Sequence, residues 1–562
     1  MAVQFGPTGH LDTFARDNLP PPADWPDFAS PLSYPAQLNC AVALLDTMAT
    51  GPHGDCPALH FAGQTISYRA LLAETNRIAH VLVADLSVVP GNRVLLRGPN
   101  NPMLVAAWFA VLKAGAIVVA TMPLLRAREL TYVMTKARVT VALCDGRFAD
   151  EMRIAAEQVR ASDAGLDPHI CLYHAGDQPN TLEVLSAGKP ETFANVATAS
   201  DDVALIAFTS GSTGRAKGTM HFHRDVLAIC DCFAAHVLQP TADDVFCGTP
   251  PLGFTFALGG LVLFPFRVGA STVLIEQPSP DVLLDAIQRY RVSILFTAPT
   301  MYRRLTHMVS DYDFSSLRKC VSAGETLPLP TYDAWMEATG IKLIDGIGAT
   351  EMLHIFISAA GDDIRPGATG IPVPGYQARV VDDDGNPLPP GSIGRLAVRG
   401  PTGCRYLDDP ERQRTYVHNG WNLTGDVYLM DADGYFYYQA RADDMIISSG
   451  YNIAGPEVEN VLREHPKVLE CAVVGLPDAA RGHLVAAFVV LRDPTDAKPE
   501  TVTELQDFVK AEIAPYKYPR AIEFVTALPY TETGKLQRFR LRQTPIPPAP
   551  ALASGGGEID SE

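Results

Sequence analysis

Short runs rich in valine and isoleucine alternate with longer amphipathic segments through the first 340 residues of the chain. Five of these runs have the length of a strand: Arg93–Arg97, Thr140–Cys144, Val203–Phe208, Ser271–Ile275 and Ser293–Phe296. Continuous apolar strands that alternate with helices are typical of parallel sheets covered by helices on both faces. The pattern therefore predicts an α/β fold with a large, multi-layer N-terminal domain of mostly parallel sheets.

The pattern changes between about residues 365 and 440, where turn clusters separate short strands and predict a small antiparallel β unit. After it, the pattern predicts a helix at Glu457–Glu464, strands at Val468–Val474 and Val485–Leu491, a helix at Val502–Glu512 and a strand at Ala521–Val525. The sequence thus predicts an N-terminal domain over residues 1–440 and a small α/β domain over 441–542. Residues 543–562 are rich in proline, glycine and small residues, and we expect them to be a disordered tail.

The most apolar stretch of the chain, residues 103–120, is not expected to span a membrane. Lys113 and Gly115 interrupt it and are typical of a helix C-terminus, and the residues after them have the composition of a buried strand. A span needs about 20 unbroken apolar residues. The first residues also lack the apolar core of a signal peptide, so we expect no membrane partner.

Composition narrows the classes of partner. The 562 residues include 63 acidic and 45 basic side chains, for a net charge of −18, which disfavours a nucleic-acid partner but leaves a local basic site open. The ten cysteines are too sparse for a disulfide framework, and the Cys230–Cys232 pair alone is not a zinc spacing. We expect buried thiols in a reducing compartment, the cytoplasm.

The strongest chemical signal follows the strand predicted at Val203–Phe208. This segment contains Thr209, Ser210, Gly211, Ser212, Thr213, Gly214 and, three residues later, Lys217. Glycine lets backbone N–H groups approach oxygens closely, hydroxyls donate further hydrogen bonds, and a lysine adds charge. The segment predicts a phosphate-binding loop, although its spacing is not that of a P-loop. A flexible linker is the alternative, but a linker needs neither the lysine nor the strand.

Four further motifs follow in order: Asp345–Glu351, Asn422–Asp426, Arg441–Gly450 and Pro529–Lys535. With them, the chain resembles the acyl-adenylate-forming superfamily over about residues 40–540, with Ile347 where the family more often has tyrosine. The resemblance implies an AMP-forming acid–thiol ligase that uses ATP, Mg²⁺ and coenzyme A. A carboxylate and ATP would give an acyl-AMP and pyrophosphate. The small C-terminal domain would then rotate, and the thiol would take the acyl group.

The resemblance also assigns residues to the nucleotide. Thr350 would bind the α-phosphate, Glu351 would bind Mg²⁺, Asp426 would accept the two ribose hydroxyls, and Arg441 would reach the ribose or a phosphate. The adenine would lie between two segments, which contain Ala323, Gly324 and Glu325 on one side and Asp345, Gly346 and Ile347 on the other. Alone, a Thr-Glu pair would more often be a surface turn, and Asp426 with Arg441 a surface salt bridge.

Further roles follow from the same resemblance. Lys535 would stabilise the negative charge that develops on the α-phosphate and the departing pyrophosphate, although a lysine on such a turn is usually solvated. Asp443 matches the hinge position. Ser449, Gly450 and Tyr451 would line the passage for the pantetheine arm of coenzyme A, where glycine permits a narrow channel.

The acyl pocket is expected to contain Phe254, Ala323, Gly324, Ile347, Gly348 and His354. The segments 345–356 and 514–520, with the opening Leu11–Arg16, resemble the benzoate-type aryl-CoA ligases, and most of all the 2-aminobenzoate (anthranilate)-CoA ligases. A small aromatic carboxylate is therefore the expected substrate. His354 either belongs to the core or binds a ring substituent.

Two other functions stay open. A freestanding adenylation enzyme would load the aryl acid onto a carrier protein instead of coenzyme A. A non-catalytic nucleotide-binding regulatory protein is disfavoured by intact Lys217, Thr350, Glu351, Asp426 and Lys535. A homodimer is also left open.

Overall fold

The computed structural model describes residues 6–28, 31–163, 165–176, 178–209, 216–441, 445–529 and 536–543. These residues form two compact units, one before the gap at 442–444 and one after it. The residues Ser210–Gly214, Asp443 and Lys535, and positions 544–562 of the expected tail, lie outside the described residues.

A six-stranded sheet carries the predicted phosphate-loop strand. Its strands lie in the order His169–Tyr173, Val139–Asp145, Arg93–Arg97, Ile117–Thr121, Val203–Thr209 and Lys217–Phe222. All neighbours are parallel except the last two, which pair antiparallel. The helices that connect the parallel strands include Pro102–Lys113, Ala127–Ala137 and Ala149–Ser162.

A nine-stranded sheet forms the second layer. Its order is Ile371–Pro372, Ile355–Ser358, Leu343–Gly348, Lys319–Ser322, Ile294–Thr297, Val245–Gly248, Ser271–Val273, Pro57–Phe61 and Gln64–Ser67. The six strands from Leu343–Gly348 to Pro57–Phe61 run parallel, and the outer pairs are antiparallel. The flanking helices include Tyr68–His80, His223–Ile229, Pro280–Tyr290, Pro299–Thr306 and Leu329–Thr339.

One hydrophobic core joins these two sheets. It includes Val94 and Val118 of the first sheet, Phe246 and Phe296 of the second, and the apolar face of Pro102–Lys113. Residues 104–113 of this helix are all buried, so its uniformly apolar sequence reflects burial in protein. Among the described residues, no helix has both the length and the apolar character required to cross a bilayer. All ten cysteines are unpaired thiols, and nine of them are buried.

The predicted β unit is a five-stranded antiparallel sheet in the first unit. It contains Gln377–Val381, Ile393–Arg399, Val417–His418, Trp421–Met430 and Phe436–Arg441, with the helix Pro410–Tyr416 before the short strand. The prediction of an α/β fold with mostly parallel sheets and a small β unit is confirmed.

The second unit has its own sheet and core. Its strands are Tyr451–Ala454, Met445–Ser448, Gly482–Leu491 and Val468–Asp478, with Ala521–Phe524 paired parallel to Gly482–Leu491. The helices Gly455–Glu464 and Pro499–Glu512 supply Val458, Leu462 and Leu505 to the core, together with apolar residues of the strands. This unit is a small α/β domain, as the sequence predicts.

Candidate active site

Two of the predicted phosphate-loop residues flank the loop on neighbouring strands. Thr209 ends the strand Val203–Thr209, and Lys217 begins the antiparallel strand Lys217–Phe222. The two residues are paired across the strands. The chain therefore returns Lys217 to the end of the strand that precedes the loop.

Lys217 belongs to a compact polar cluster with Glu351 and Tyr406. The Lys217 Nζ atom lies 3.2 Å from Glu351 Oε1 and 3.0 Å from the Tyr406 hydroxyl. The Tyr406 hydroxyl donates to the same Glu351 oxygen at 2.5 Å. Burial alone would raise the pKa of the Glu351 carboxyl, but Lys217 and Tyr406 favour its charged form and hold that pKa below its usual value. Glu351 is therefore a buried carboxylate, and 6% of its surface is exposed.

Thr350 is held through its backbone by a histidine on the strand of Lys217. The His221 Nε2 atom lies 2.8 Å from the carbonyl oxygen of Thr350, to which it donates. Burial lowers the pKa of His221 to about 4, so the ring is neutral and has a single N–H to donate. Side chains on a strand alternate between faces, so His221 and Lys217 lie on one face. That face carries partners for both Thr350 and Glu351.

The two segments expected to enclose adenine lie side by side. Strand Lys319–Ser322, which precedes Ala323, Gly324 and Glu325, pairs with Leu343–Gly348 so that Ser322 is opposite Asp345. Gly324 has φ +87°, a conformation that favours glycine. A small cavity of about 50 Å³ adjoins the segments, and Thr326, Tyr332, Asp345 and Tyr438 contribute to its lining.

Asp345 has a carboxylate oxygen that makes no hydrogen bond within the described chain. This atom, Oδ1, is buried, and burial raises the pKa of the Asp345 carboxyl to about 7. At a pKa near 7 the carboxyl group is about half protonated at neutral pH, so Asp345 can accept a hydrogen bond or donate one. At the end of the same strand, a side chain at Gly348 would come within 2.9 Å of the His354 backbone, so this position needs glycine.

Asp426 and Arg441 face each other on adjacent strands. They are paired in the register of Trp421–Met430 with Phe436–Arg441, and Arg441 Nη1 donates to Asp426 Oδ1 at 2.8 Å. Both side chains are largely buried, with 22% of Arg441 and 10% of Asp426 exposed. The pair is therefore more than a solvated surface salt bridge.

His354 lies in an aromatic chamber. Phe264, Phe233, Phe256 and Phe296 surround its ring, at centroid distances of 4.6, 5.3, 5.7 and 6.4 Å. Its Nε2 atom lies 3.3 Å from the Phe256 carbonyl, and Nδ1 is buried without a hydrogen-bond partner in the described chain. Burial lowers the pKa of His354 to about 3, which keeps the ring neutral. With Nε2 as the donor, Nδ1 is a buried acceptor that no described group satisfies.

The other residues expected in the acyl pocket lie in segments that contact or adjoin the residues of this chamber. Phe254 is half-buried and immediately precedes the short helix Thr255–Leu258, which carries Phe256. Ile347 is half-buried and packs against the main core, and Ala323 belongs to that core. The strand Ile355–Ser358, which follows His354, pairs with Leu343–Gly348, so His354 and the Ile347–Gly348 strand end are adjacent.

The coenzyme A candidates form a tight turn in the second unit. Ser449 and Gly450, with φ of +50° and +82°, connect the hairpin strands Met445–Ser448 and Tyr451–Ala454. Positive φ at both positions is typical of a type I′ turn. The Tyr451 ring stacks on Tyr516 at a centroid distance of 4.3 Å. The turn lies at the end of a hairpin, and the Ser449 N–H donates to the Arg481 carbonyl oxygen at 3.0 Å.

The residues at hand fit a nucleotide with Mg²⁺, but not a metal held by the protein alone. No group of three or more His, Cys, Asp or Glu side chains in the described parts of the chain could hold a metal ion. Mg²⁺ is commonly bound by one or two carboxylates together with phosphate oxygens. Glu351 supplies one charged carboxylate, which is enough for this mode of binding.

Sequence reasoning missed Tyr406, His221 and the phenylalanines of the chamber. A signal existed for His221, since Lys217, Thr219 and His221 alternate along one strand and share a face. Nothing in the sequence around Tyr406 pointed to Glu351, from which it is separated by 55 residues.

Two family models match the chain. The family model of AMP-binding enzymes matches residues 46–405, and that of the AMP-binding enzyme C-terminal domain matches residues 457–535. The chain belongs to the AMP-binding enzyme family. The sequence-based assignment to the acyl-adenylate-forming superfamily is thereby confirmed.

Three relatives of this AMP-binding enzyme are informative. The chain is 34% identical to the benzoate–CoA ligase of Thauera aromatica, over 92% of its own length and 98% of that protein. It is 35% identical to the anthranilate CoA ligase AuaEII, solved with anthranoyl-AMP, with a TM-score of 0.70 over 91% of this chain and 98% of that one. It is 28% identical to the amide bond synthetase McbA from Marinactinospora thermotolerans, with a TM-score of 0.80 over 90% and 99%.

The first two of these relatives confirm the aryl-CoA ligase branch of the family as the one this AMP-binding enzyme resembles. The assignment as an enzyme of the AMP-forming acid–thiol ligase class is confirmed, and ATP, Mg²⁺ and coenzyme A are the cofactors of CoA ligases in this family. The relatives differ in the ring substituents of the acids named for them, so the substrate of this enzyme has to be inferred from its own site.

Proposed function

We propose that this AMP-binding enzyme activates 2-aminobenzoate or benzoate as its acyl-AMP and transfers the acyl group to coenzyme A. The observation that carries the proposal is the contrast along one short segment. Thr350 and Glu351 belong to a charged cluster, whereas His354 lies three residues later in a chamber of four phenylalanines. A phosphate and a small aromatic ring would suit the two ends of that segment.

On the nucleotide side, Lys217 and Thr350 would bind phosphate oxygens together with the loop residues Ser210–Gly214. Mg²⁺, bound by Glu351, would supply positive charge that neutralises the phosphate oxygens. Asp426 would accept both ribose hydroxyls, with Arg441 fixing its orientation at 2.8 Å. In its ionised form, Asp345 would accept through Oδ1 from the exocyclic amino group of adenine, which would lie against Ala323–Glu325. Lys535 would stabilise charge on the departing pyrophosphate.

On the acyl side, an aromatic wall favours a planar ring in an offset or edge-on arrangement, worth about 0.5–1.5 kcal/mol beyond burial of area. A 2-amino substituent is a hydrogen-bond donor, and His354 Nδ1 is the acceptor that lacks a partner in the described chain. The similarity to a ligase solved with anthranoyl-AMP supports the same substituent. We therefore expect 2-aminobenzoate to be a better substrate than benzoate.

The acceptor is proposed to be coenzyme A, with Ser449, Gly450 and Tyr451 along the pantetheine arm and Asp443 as the hinge. A second candidate is favoured by the similarity to an amide bond synthetase, in which an amine would take the acyl group. A carrier-protein thiol is the third acceptor to test.

One experiment separates these acceptors. Pyrophosphate release is measured with ATP and each of a set of substituted benzoates, and the acyl product is then identified with coenzyme A, a carrier protein or a primary amine as the added acceptor. We expect the aryl-CoA thioester to form at least tenfold faster than either other product. Faster amide or carrier loading would refute the acceptor, and absence of pyrophosphate release with every acid would refute the ligase.

A further inference from the structure

Tyr406 occupies a position that the proposed catalytic residues do not explain. It lies outside the motifs named above, yet only 1% of its surface is exposed and its hydroxyl lies between Lys217 and Glu351. A tyrosine hydroxyl can donate one hydrogen bond while it accepts others. Here it donates to the carboxylate and accepts from the ammonium group.

The backbone fixes Tyr406 firmly. Residues 405–407 run beside the strand that begins with Lys217, and Thr219 forms an antiparallel bridge with Tyr406. Met220 N donates to Arg405 O, and Leu407 N donates to Gly218 O, both at 2.8 Å. The Tyr406 N–H donates to Gln413 Oε1 at 2.9 Å, on the next helix. These contacts fix the backbone from which the Tyr406 side chain reaches Glu351.

The neighbouring side chain adds a second anchor. Arg405 is fully buried, pairs with Asp225 at 2.7 Å, and lies over the rings of Phe222, Phe28 and Trp25 at 4.0, 4.3 and 5.1 Å. Asp225 Oδ2 also accepts from the backbone N–H of Phe222. A buried ion pair inside an aromatic cage resists displacement, because breaking it would leave an unpaired charge. Residues 405–406 are thus held on both faces.

The geometry at Glu351 explains what such rigidity could achieve. Lys217 and Tyr406 both contact Oε1. A carboxylate held by one oxygen cannot rotate freely, so its other oxygen, Oε2, keeps a fixed direction. Mg²⁺ demands near-ideal octahedral geometry and tolerates little variation in the position of its ligands.

We propose that Tyr406 is a positioning residue that fixes the Glu351 carboxylate, through Oε1, so that Oε2 can bind Mg²⁺ with the nucleotide. The inference rests on the proposed role of Glu351 as the metal ligand. Tyr406 itself contacts neither the metal nor the substrate. It restricts the ligand before the metal arrives, which lowers the cost of binding.

The test compares wild type with Tyr406→Phe, Glu351→Gln, the double variant and Tyr173→Phe. Tyr173 is a matched control, since it is fully buried and its hydroxyl donates to the Arg97 carbonyl at 3.1 Å, away from the cluster. The first readout is the Mn²⁺ affinity of each protein in the presence of α,β-methylene-ATP, measured by electron paramagnetic resonance. The second is the Mg²⁺ concentration that gives half-maximal pyrophosphate release.

We expect Tyr406→Phe to weaken Mn²⁺ binding and raise the half-saturating Mg²⁺ concentration by about tenfold, with the maximal rate largely recovered at high Mg²⁺. Tyr173→Phe should match wild type in both readouts. Adding Tyr406→Phe to Glu351→Gln should change Mn²⁺ affinity no further, because Tyr406 acts only through Glu351.

Unchanged Mn²⁺ affinity in Tyr406→Phe would overturn the inference, as would a rate that no concentration of Mg²⁺ restores. Unchanged affinity in Glu351→Gln would overturn it together with the metal role of Glu351. Failure of the proposed ligase is distinct, since wild type would then release no pyrophosphate with any acid while the Mn²⁺ measurements still gave an answer.

Discussion

Glu351 and His354 lie three residues apart, yet they are held in opposite ways. Glu351 is fixed by charge, with an ammonium group and a hydroxyl on one of its oxygens. His354 is fixed by shape, among four phenylalanines and against Gly259, where a side chain would come within 2.4 Å of the imidazole. The first environment favours an ion, and the second favours a flat neutral ring.

The contrast teaches how one fold can keep its chemistry while its substrate changes. Phosphate and Mg²⁺ binding require charges at fixed points, which hydrogen-bonded clusters provide. Selection of an acid requires a cavity of particular shape, with a polar group aimed at one substituent. We propose that the two requirements are met on opposite sides of residues 352–353, so each should fail separately when it is altered.

The largest effect is expected from Lys535→Ala. Loss of one charged donor at the developing negative charge should lower acyl-AMP formation by about 10²–10³-fold. Every acid should be affected by the same factor, and thioester formation from pre-made acyl-AMP should be nearly unchanged. Rapid-quench measurement of each half-reaction checks this. Equal losses in both half-reactions would contradict the assignment of Lys535 to the first.

Glu351→Gln is expected to lower pyrophosphate release by about 10²-fold, because the neutral amide is a poor ligand for Mg²⁺. The ratio of the rates with 2-aminobenzoate and benzoate should stay the same, since the aromatic chamber is untouched. Steady-state assays with both acids provide the measurement. A changed ratio would show that the charged cluster and the chamber are not independent.

Stability should respond to pH through His354. Its pKa is lowered to about 3 by burial, below the value near 6.5 expected for an unfolded chain, so the unfolded state binds the proton more tightly. The free energy of unfolding is therefore highest well above pH 6.5, begins to fall near 6.5 and continues to fall as the pH approaches 3. Relative to His354→Leu, the free energy of unfolding of wild type should fall by about 2 kcal/mol between pH 7.5 and 5.

Urea unfolding of the two proteins at pH 7.5, 6.5 and 5 measures this difference. Other buried histidines titrate in both proteins and cancel. A difference that does not vary with pH would show that the ring is protonated or solvated in the folded protein.

The smallest expected effect concerns choice of acid. His354→Leu replaces the imidazole with an apolar side chain of similar size and so removes the hydrogen-bond acceptor. The kcat/KM should therefore fall about tenfold more for 2-aminobenzoate than for benzoate. The KM for ATP should not change. An equal loss for both acids would show that His354 is only a core residue and does not bind the ring substituent.

Much of this arrangement was predictable because it is local. The strand Arg93–Arg97 and the helix–strand pair over residues 102–121 follow from continuous apolar runs and a Lys–Gly helix end. The strand predicted at Ser271–Ile275 ends at Val273 instead, although the next backbone N–H, of Leu274, still donates to His60 O on the neighbouring strand. A sequence pattern marks buried residues but not the point at which regular pairing stops.

The site was predictable only where a motif carries it. Lys217, Asp345, Thr350, Glu351, Asp426 and Arg441 lie in motifs of the family. Tyr406 and His221 lie 55 and 129 residues from the partners they position, and their roles depend on the pairing of strands that are remote in sequence. The aromatic chamber is assembled in the same way from separate helices and strands, so no single segment of the sequence predicts it.

The most direct test of the account is kcat/KM, measured by pyrophosphate release with ATP, Mg²⁺ and coenzyme A, for benzoate, 2-aminobenzoate, 4-hydroxycinnamate and octanoate. A chamber of four phenylalanines with one unsatisfied acceptor predicts that 2-aminobenzoate and benzoate are used at least tenfold better than the other two acids, about 1.4 kcal/mol in transition-state binding. The highest kcat/KM for octanoate or 4-hydroxycinnamate would contradict the account.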